Sequence, residues 1–498
     1  AAGAAGAAGG AGEGGDRQGG QAPPPMVLNQ LLPLLEAWLQ VQFYGIVVDS
    51  DLTSAVAPDD DGGPLVADRD TFLNDRHQEL VRVCERHRRA LNALIRQTPT
   101  LLSTTLAPLI RLAPSAVDFE NKRHYFKNKI RQLRSDVRHE TLRLNLRRHS
   151  VFMDSFHQLR MRTGEEMKGK ITVSFQGEEG VDAGGLTREW FSILSREMFN
   201  PGYALFSRTG AKAEFNHPNP LSHVNQDHLH FFKFIGRIIG KAIYESIHLD
   251  AYFTRSCYKH MLGRKPKAAD SEALDPEFYK NLMNILKEPL DMLGLELTFS
   301  TEVENFGAMM TVDLKENGRN IPVNDENKEE YVGLMCEYRM TEAIKPQLDA
   351  FLSGFHEIIP AKLISIFDDK ELELLISGLP EIDLDDLRRN TEYTGYTEDS
   401  QVITWFWKTL QTFDQNRLAT FLQFVTGTSR VPLEGFTNLM GMRGPQRFSI
   451  HRAFGEDRLP SAHTCFNQLD LPEYSNEDQL KTKLIQAIHE AREGFGFI

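Results

Sequence analysis

Cysteine is scarce in this sequence. Four occur in 498 residues, Cys84, Cys257, Cys336 and Cys465, far apart and without a CxxC pair. That spacing speaks against a disulfide scaffold and a zinc site, and it leads to the expectation of a reducing compartment. No apolar run reaches the roughly 18 residues expected of a membrane-spanning helix. HExxH and phosphate-loop patterns are also missing. The opening Ala-Ala-Gly repeats lack the charged and apolar regions of a signal peptide. An initiator methionine is missing too, which leads us to expect the carboxyl part of a longer chain. Positive charge is in deficit, with 56 Lys and Arg against 69 Asp and Glu, a net charge of -13. This disfavours general affinity for nucleic acid or an anionic membrane.

What is present is ordinary for a globular protein: 41% hydrophobic and 25% charged residues. The length suggests two to four domains. Charge is uneven, because Lys122 to Arg148 is rich in Lys and Arg. We read that stretch as a solvated helical face, or a patch for acidic partner surfaces, before nucleic acid.

Residues 1–25 are mostly Ala, Gly and Pro and are expected to form a disordered linker. Their glycine spacing imitates a phosphate-binding loop, yet no strand precedes it and no βαβ unit surrounds it. Residues 26–117 read as a helical extension. Val27 to Val48 carries Leu31, Leu32, Leu34, Leu35 and Leu39 around Pro33, and Asp49 to Gly63 is an acidic loop. Thr71 to Leu112 returns to helix, with Leu73, Leu80, Val83, Cys84, Leu91, Leu94 and Ile95 at helical spacing, which assigns Cys84 to packing.

Residues 118–378 read as a first lobe. Asp118 to Arg138 is a charged helix, and Ile171 to Phe175 alternates as a half-buried strand does. Gly180, Gly184 and Gly185 make a turn before a helix. Asp227 is the expected cap of a helix running to Ile247, with Phe231, Ile235, Ile238, Ile239, Ala242 and Ile243 inward. Cys257 and Cys336 are read as structural. Between about residues 250 and 335, Phe278, Leu282 and Ile285 line one helix face. Leu295, Leu297 and Phe299 alternate, and Tyr331 follows a turn at Asn317-Gly318. On pattern alone this is a satellite core. Asp368 to Ser377 is a helix stopped by Gly378. Gly378-Leu379-Pro380-Glu381-Ile382 then forms a natural hinge, within a junction extending to residue 383.

Residues 384–498 read as a second lobe of normal domain size. Helices are expected over Val402 to Phe413 and Arg417 to Phe424, strands over Arg447 to His451 and Cys465 to Leu471. Ser475 and Asp478 resemble a capping box for a last helix that buries Leu480, Leu484, Ile485 and Ile488.

One stretch stands apart, Leu459-Pro460-Ser461-Ala462-His463-Thr464-Cys465-Phe466-Asn467-Gln468-Leu469-Asp470-Leu471-Pro472. A structural cysteine normally sits inside an apolar period, and Cys465 has polar flanks instead. In an extended segment His463 and Cys465 share a face. An imidazole beside a thiol favours the thiolate, which is the nucleophile. The bland reading, a small hydrophobe at a strand start, stays open on these residues alone.

The run from Leu459 to Pro472, above all His463-Thr464-Cys465-Phe466-Asn467, resembles the active-site loop of HECT-type ubiquitin ligases. The run Glu178 to Trp190 resembles the amino-terminal lobe of the same family, where its role is mainly architectural. The resemblance covers Asp118 to Ile498 without departure at the matched catalytic positions. It is strongest toward the very large plant and animal members, and Leu91 to Lys122 adds weaker similarity to the plant ones.

That resemblance implies an α+β, bilobal fold: a mostly helical amino-terminal lobe with a small subdomain that docks a ubiquitin-conjugating enzyme, and an α/β carboxyl lobe. It implies that Cys465 accepts ubiquitin as a thioester and passes it to a substrate lysine, with His463 and Thr464 supporting the loop. Phe278, Leu282, Ile285, Leu295, Leu297 and Tyr331 match the docking groove, with Tyr331 as an aromatic anchor. Phe495, four places from the end, matches a phenylalanine needed for transfer. The implied partners are a conjugating enzyme, ubiquitin and substrate proteins, in the cytoplasm, the nucleus or both. No cofactor or metal is implied, since the thioester arrives activated. Two rival classes remain open, a cysteine hydrolase and a binding scaffold that keeps the fold without the chemistry.

Overall fold

The computed structural model describes residues 75–135, 140–178, 184–210, 215–305, 307–379, 381–432, 435–441 and 444–493; the side chains of residues 75–80, 135, 416, 440, 465 and 491–493 are outside that description. The expected linker at 1–25, the apolar segment Val27 to Val48, Pro380 and Phe495 thus lie outside the described residues. The described residues fall into two compact units, with the boundary between Tyr125 and Phe126.

In the first unit the helix expected from Thr71 to Leu112 is broken into pieces. Helices Asp75–Arg86 and Arg88–Gln97 are followed by a 3-10 turn at Pro99–Ser103 and a short helix at Ala107–Leu112. Pro99 explains the break, since it lacks the N–H that would continue the helical ladder. Cys84, Leu91, Leu94, Ile95, Leu102, Leu106 and Leu109 are buried. Asn92 is buried with them, and its amide donates to the carbonyls of Arg88 and Ala116, both at 2.8 Å. Its Oδ1 accepts from the Asp118 amide at 2.7 Å. Such a buried amide costs stability unless its polar atoms are satisfied in this way.

The second unit holds two lobes. The helical lobe is built on helices His228–Glu245 and Lys345–Ile358. Phe232, Ile235, Ile238 and Ile239 of the first are almost fully buried, as its apolar stripe requires. Asp227 stands at its N-cap position, but its side chain makes no capping hydrogen bond. Its carboxylate instead lies 3.6 Å from His230, which corrects the capping expectation. The helix stops at Glu245 because Ser246 turns left-handed, φ 58. Ile171–Phe175 forms a strand as expected, paired in parallel with Leu142–Leu146.

A small subdomain has its own core of Leu282, Ile285, Leu290, Phe299, Tyr331, Val332, Met335, Cys336 and Met340. Its hairpin is Ser300–Asn305 with Ala308–Asp313. The paired strand therefore begins after Leu295 and Leu297, which lie in an irregular segment.

The carboxyl lobe packs helices Gln401–Gln411, Gln415–Thr426 and Glu477–Glu493 against a four-stranded sheet. Strand order is Ser461–His463, Gln468–Pro472, Phe448–Ala453, Thr391–Thr394, the first pair antiparallel and the others parallel. The last helix is capped by Asn476, whose Oδ1 accepts from the Gln479 amide at 2.8 Å. Ser475 turns instead to Glu456, at 2.6 Å, so the expected Ser475–Asp478 box is replaced. The fold is α+β and bilobal.

Candidate active site

Cys465 does not lie in a strand. Ser461–His463 ends one, Thr464–Phe466 makes a single 3-10 turn, and Gln468–Pro472 begins the next. Asn467 joins turn to strand in the left-handed conformation, φ 50, which asparagine tolerates better than most residues. It is fully buried. Its side-chain amide donates to the Gln446 carbonyl at 2.8 Å, and its own carbonyl accepts from Ser449 at 3.0 Å. The expectation that His463 and Cys465 share a strand face is therefore corrected, because the two-residue alternation stops at His463. The His463 imidazole is directed to Asp470 instead, Nε2 to Oδ2 3.0 Å. Gln468 donates to the other oxygen of that carboxylate at 2.6 Å.

The turn rests against the helical lobe. Helix Gly185–Glu197 presents Arg188, whose Nη2 donates to the carbonyl of Thr464 at 2.5 Å. One turn further, Ser192 accepts from Gln423 Nε2 at 2.8 Å. Beyond Gly427, Arg430 pairs with Asp250 and lies 5.0 Å from the centroid of the Tyr252 ring. No sequence signal placed these partners together, since they lie up to 276 positions apart. Arg188 does fall inside the Glu178 to Trp190 run, for which the resemblance implies a mainly architectural role.

The other three cysteines are buried free thiols. Burial pushes the Cys84 and Cys257 thiols up to about 11, and raises that of Cys336. Near neutral pH they are protonated and poor nucleophiles. Cys257 also sits against Thr254, 3.2 Å from its hydroxyl. Among the described residues no group of three or more His, Cys, Asp or Glu is arranged to hold a metal. No described helix is long and apolar enough to cross a membrane.

The six expected docking residues are brought into one subdomain but not onto one surface. Leu282, Ile285 and Tyr331 are in its core, with Tyr331 edge-on to Phe299 at 5.7 Å. Phe278 and Leu297 are half-buried, and the Arg339 guanidinium covers the Phe278 ring at 4.2 Å. Leu295 is exposed, and so are Met292, Met309 and Met310. An exposed groove lined by all six is thus corrected: three of them support the surface from beneath. The methionines carry no helical or strand period, so no pattern singles them out.

A model of the HECT-domain (ubiquitin-transferase) family matches residues 192–498, more than half of the chain. The chain belongs to the HECT-domain family. It is 53% identical over 421 residues to the E3 ubiquitin-protein ligase UPL1 of Arabidopsis thaliana, covering 83% of this chain and 11% of that protein. It is 52% identical over 424 residues to the E3 ubiquitin-protein ligase HUWE1 of Mus musculus, covering 84% and 10%. Identity to the E3 ubiquitin-protein ligase TOM1 of Saccharomyces cerevisiae is 47% over 412 residues, 82% and 12%. The chain thus spans about a tenth of the length of these relatives.

The junction between the two HECT lobes is tethered at both ends. Helix Asp369–Ser377 is capped at its start by Asp368 and Glu371 and ends at Gly378, φ 72. Leu379 pairs with Val431, its amide 3.3 Å from that carbonyl. Ile382 is held by Gln415, which accepts from its amide at 2.8 Å. Glu381 lies between them.

Proposed function

We propose that this HECT chain accepts ubiquitin from a conjugating enzyme as a thioester on Cys465 and transfers it to lysines of substrate proteins. The observation that carries the reading is the contrast between thiols. Cys84, Cys257 and Cys336 are buried and held protonated, whereas Cys465 sits on a one-turn link at the contact between lobes. The family match supports a ubiquitin-transfer chemistry.

Two acyl transfers follow. The Cys465 thiolate attacks the thioester carbonyl, and the conjugating enzyme's thiolate leaves. A substrate amine, having lost its proton, then attacks the new thioester, forms an isopeptide and releases the Cys465 thiolate. Covalent catalysis divides one transfer into two easier ones. The small subdomain docks the conjugating enzyme through Leu295 and the half-buried Phe278 and Leu297, with Leu282, Ile285 and Tyr331 holding that surface in shape. Gly378 to Ile382 is the hinge that lets one cysteine meet two partners, and Phe495 orders the tail during the second transfer. The partners are a conjugating enzyme, ubiquitin and substrates, in the cytoplasm, nucleus or both.

The test is a charging reaction with labelled ubiquitin and a loaded conjugating enzyme, resolved with and without reductant. Cys465→Ala abolishes the reductant-sensitive adduct, while Cys84→Ala, Cys257→Ala and Cys336→Ala retain it. An adduct that survives Cys465→Ala refutes the assignment. One feature bears on a second reading, a cysteine hydrolase: Asp470 holds the His463 ring as a carboxylate holds the histidine of a Ser-His-Asp triad. Loaded ubiquitin that is lost to water as fast as to added amine would establish that alternative.

A further inference from the structure

We propose that Arg188 is a positioning residue for the onward transfer, a role that rests on Cys465 being the acceptor. The Thr464 carbonyl and the Cys465 amide belong to one planar peptide unit. A guanidinium fixed on that carbonyl, 2.5 Å away, therefore restrains the peptide unit that carries the Cys465 backbone. The bond is charge-assisted and one of the stronger kinds available.

Arg188 is held on a rigid mount. Its neighbour Glu189 is buried and gripped by Arg148, which also binds Glu178. Trp190 is fully buried and donates to Ser155 at 2.8 Å. Thr187 reaches the Ile171 carbonyl at 3.3 Å. The helix is thus fastened to the parallel strand pair and to helix Val151–Leu159. From that base Arg188 reaches across to the other lobe. Gly427 lies beside both partners: a Cβ there would be in ordinary contact with Arg188 Cβ, at 3.6 Å, and with Thr464 Cβ, at 3.7 Å. A side chain supported in this way places a reacting group within the narrow limits that orientation demands.

The two transfers depend on this contact with opposite sign. Loading brings the cysteine to a thioester held by a separate enzyme, so a bond that keeps the turn on the helical lobe is neutral to loading or opposes it. Onward transfer from the docked turn gains from the same bond. Removing the guanidinium slows discharge and leaves loading unchanged or faster.

The experiment uses the full chain in single turnover. Arg188→Ala and Arg188→Lys are charged from a labelled conjugating enzyme and then chased with free lysine and with a protein acceptor. In Arg188→Ala, discharge falls by about tenfold, the scale of one charge-assisted hydrogen bond. Charging stays within about twofold of the parent, and the unfolding midpoint within about 2 °C. Arg188→Lys, which keeps a donor and a charge, recovers much of the discharge rate. Equal losses in charging and discharge together with a lowered midpoint overturn the proposal, because they report a role in folding alone. Unchanged discharge in Arg188→Ala also overturns it. Cys465→Ala run alongside separates this from failure of the acceptor assignment: if its adduct persists, the acceptor is wrong, whatever Arg188 does.

Discussion

The tightest test of the fold lies where helices His228–Glu245 and Lys345–Ile358 cross. A Cβ at Gly236 would stand 2.0 Å from the Phe351 carbonyl oxygen, and one at Gly354 would stand 2.0 Å from that of Lys233. Ordinary nonbonded contact lies near ~3.5 Å, so either methyl would push backbone against backbone by about 1.5 Å. No side-chain rotation relieves this. Parting the helices would also disturb Glu357, which binds Lys233 and Arg237, each at 2.6 Å. Overpacking of this kind costs about 1–3 kcal/mol, and more when the neighbours are rigid. The opposing term is helix propensity, which favours alanine over glycine by about 1 kcal/mol. Gly236→Ala and Gly354→Ala should therefore each lose about 2 kcal/mol net. Gly333 supplies the control. It lies in helix Lys328–Met340, where an added Cβ meets nothing within 4 Å, so Gly333→Ala should gain up to about 1 kcal/mol. Urea titrations followed by helical circular dichroism compare the three with the parent. Gly236→Ala and Gly354→Ala raising the midpoint as Gly333→Ala does would refute the close-packing argument.

Other expectations follow from the same contacts. Leu295→Asp should weaken conjugating-enzyme binding by about 1–2 kcal/mol at unchanged unfolding midpoint, whereas Tyr331→Ala should cost about 3 kcal/mol of stability; titration calorimetry and thermal unfolding distinguish the two, and normal affinity in Leu295→Asp removes that residue from the docking surface. Burial depresses the buried His217 to about 4 and also lowers His228, His260 and His356. A histidine whose folded pKa is depressed gives stability that is full above its unfolded value near 6.5 and lost as pH falls toward the folded value. The melting temperature should thus fall between pH 6.5 and 4.5, and His217→Asn, though weaker at pH 7.5, should show a shallower fall; an equally steep profile would exclude His217 as a cause. Phe495→Ala should load Cys465 normally and discharge it slowly, so that the loaded species accumulates in a chase; failure of loading with a lower midpoint would make Phe495 a packing residue.

Much of the fold was legible because local chemistry and long-range packing agree. The strand Ile171–Phe175 alternates buried and half-exposed residues as its composition demanded. Gly378 and Gly427 end their helices with positive φ, and Leu480, Leu484 and Ile488 are buried on one side of the last helix. Misreadings occurred where a competing local partner wins. Ser475 had the right spacing for a capping box, but Glu456 takes its hydroxyl and Asn476 takes the cap. Thr71 to Leu112 was expected as helix from the spacing of Leu73 to Ile95, yet Pro99 cannot continue the ladder.

The site was legible only in part, for a different physical reason. A motif records residues that are neighbours in sequence, and Leu459 to Pro472 is such a stretch. Its polar flanks marked Cys465, but the apolar Phe466, Leu469 and Leu471 that follow also suggested a strand starting at it. Asn467 delays that strand with a left-handed turn and a buried side-chain bond to Gln446, and neither can be read from hydrophobic spacing. The contact that orients the turn comes from Arg188, on the other lobe. Docking residues failed in the opposite direction. Phe278, Leu282 and Ile285 have the spacing of a face, and a face turned inward has the same period as one turned outward. Periodicity locates a stripe; only the packing of Phe299 and of helix Lys328–Met340 against it decides which of its members a partner can touch.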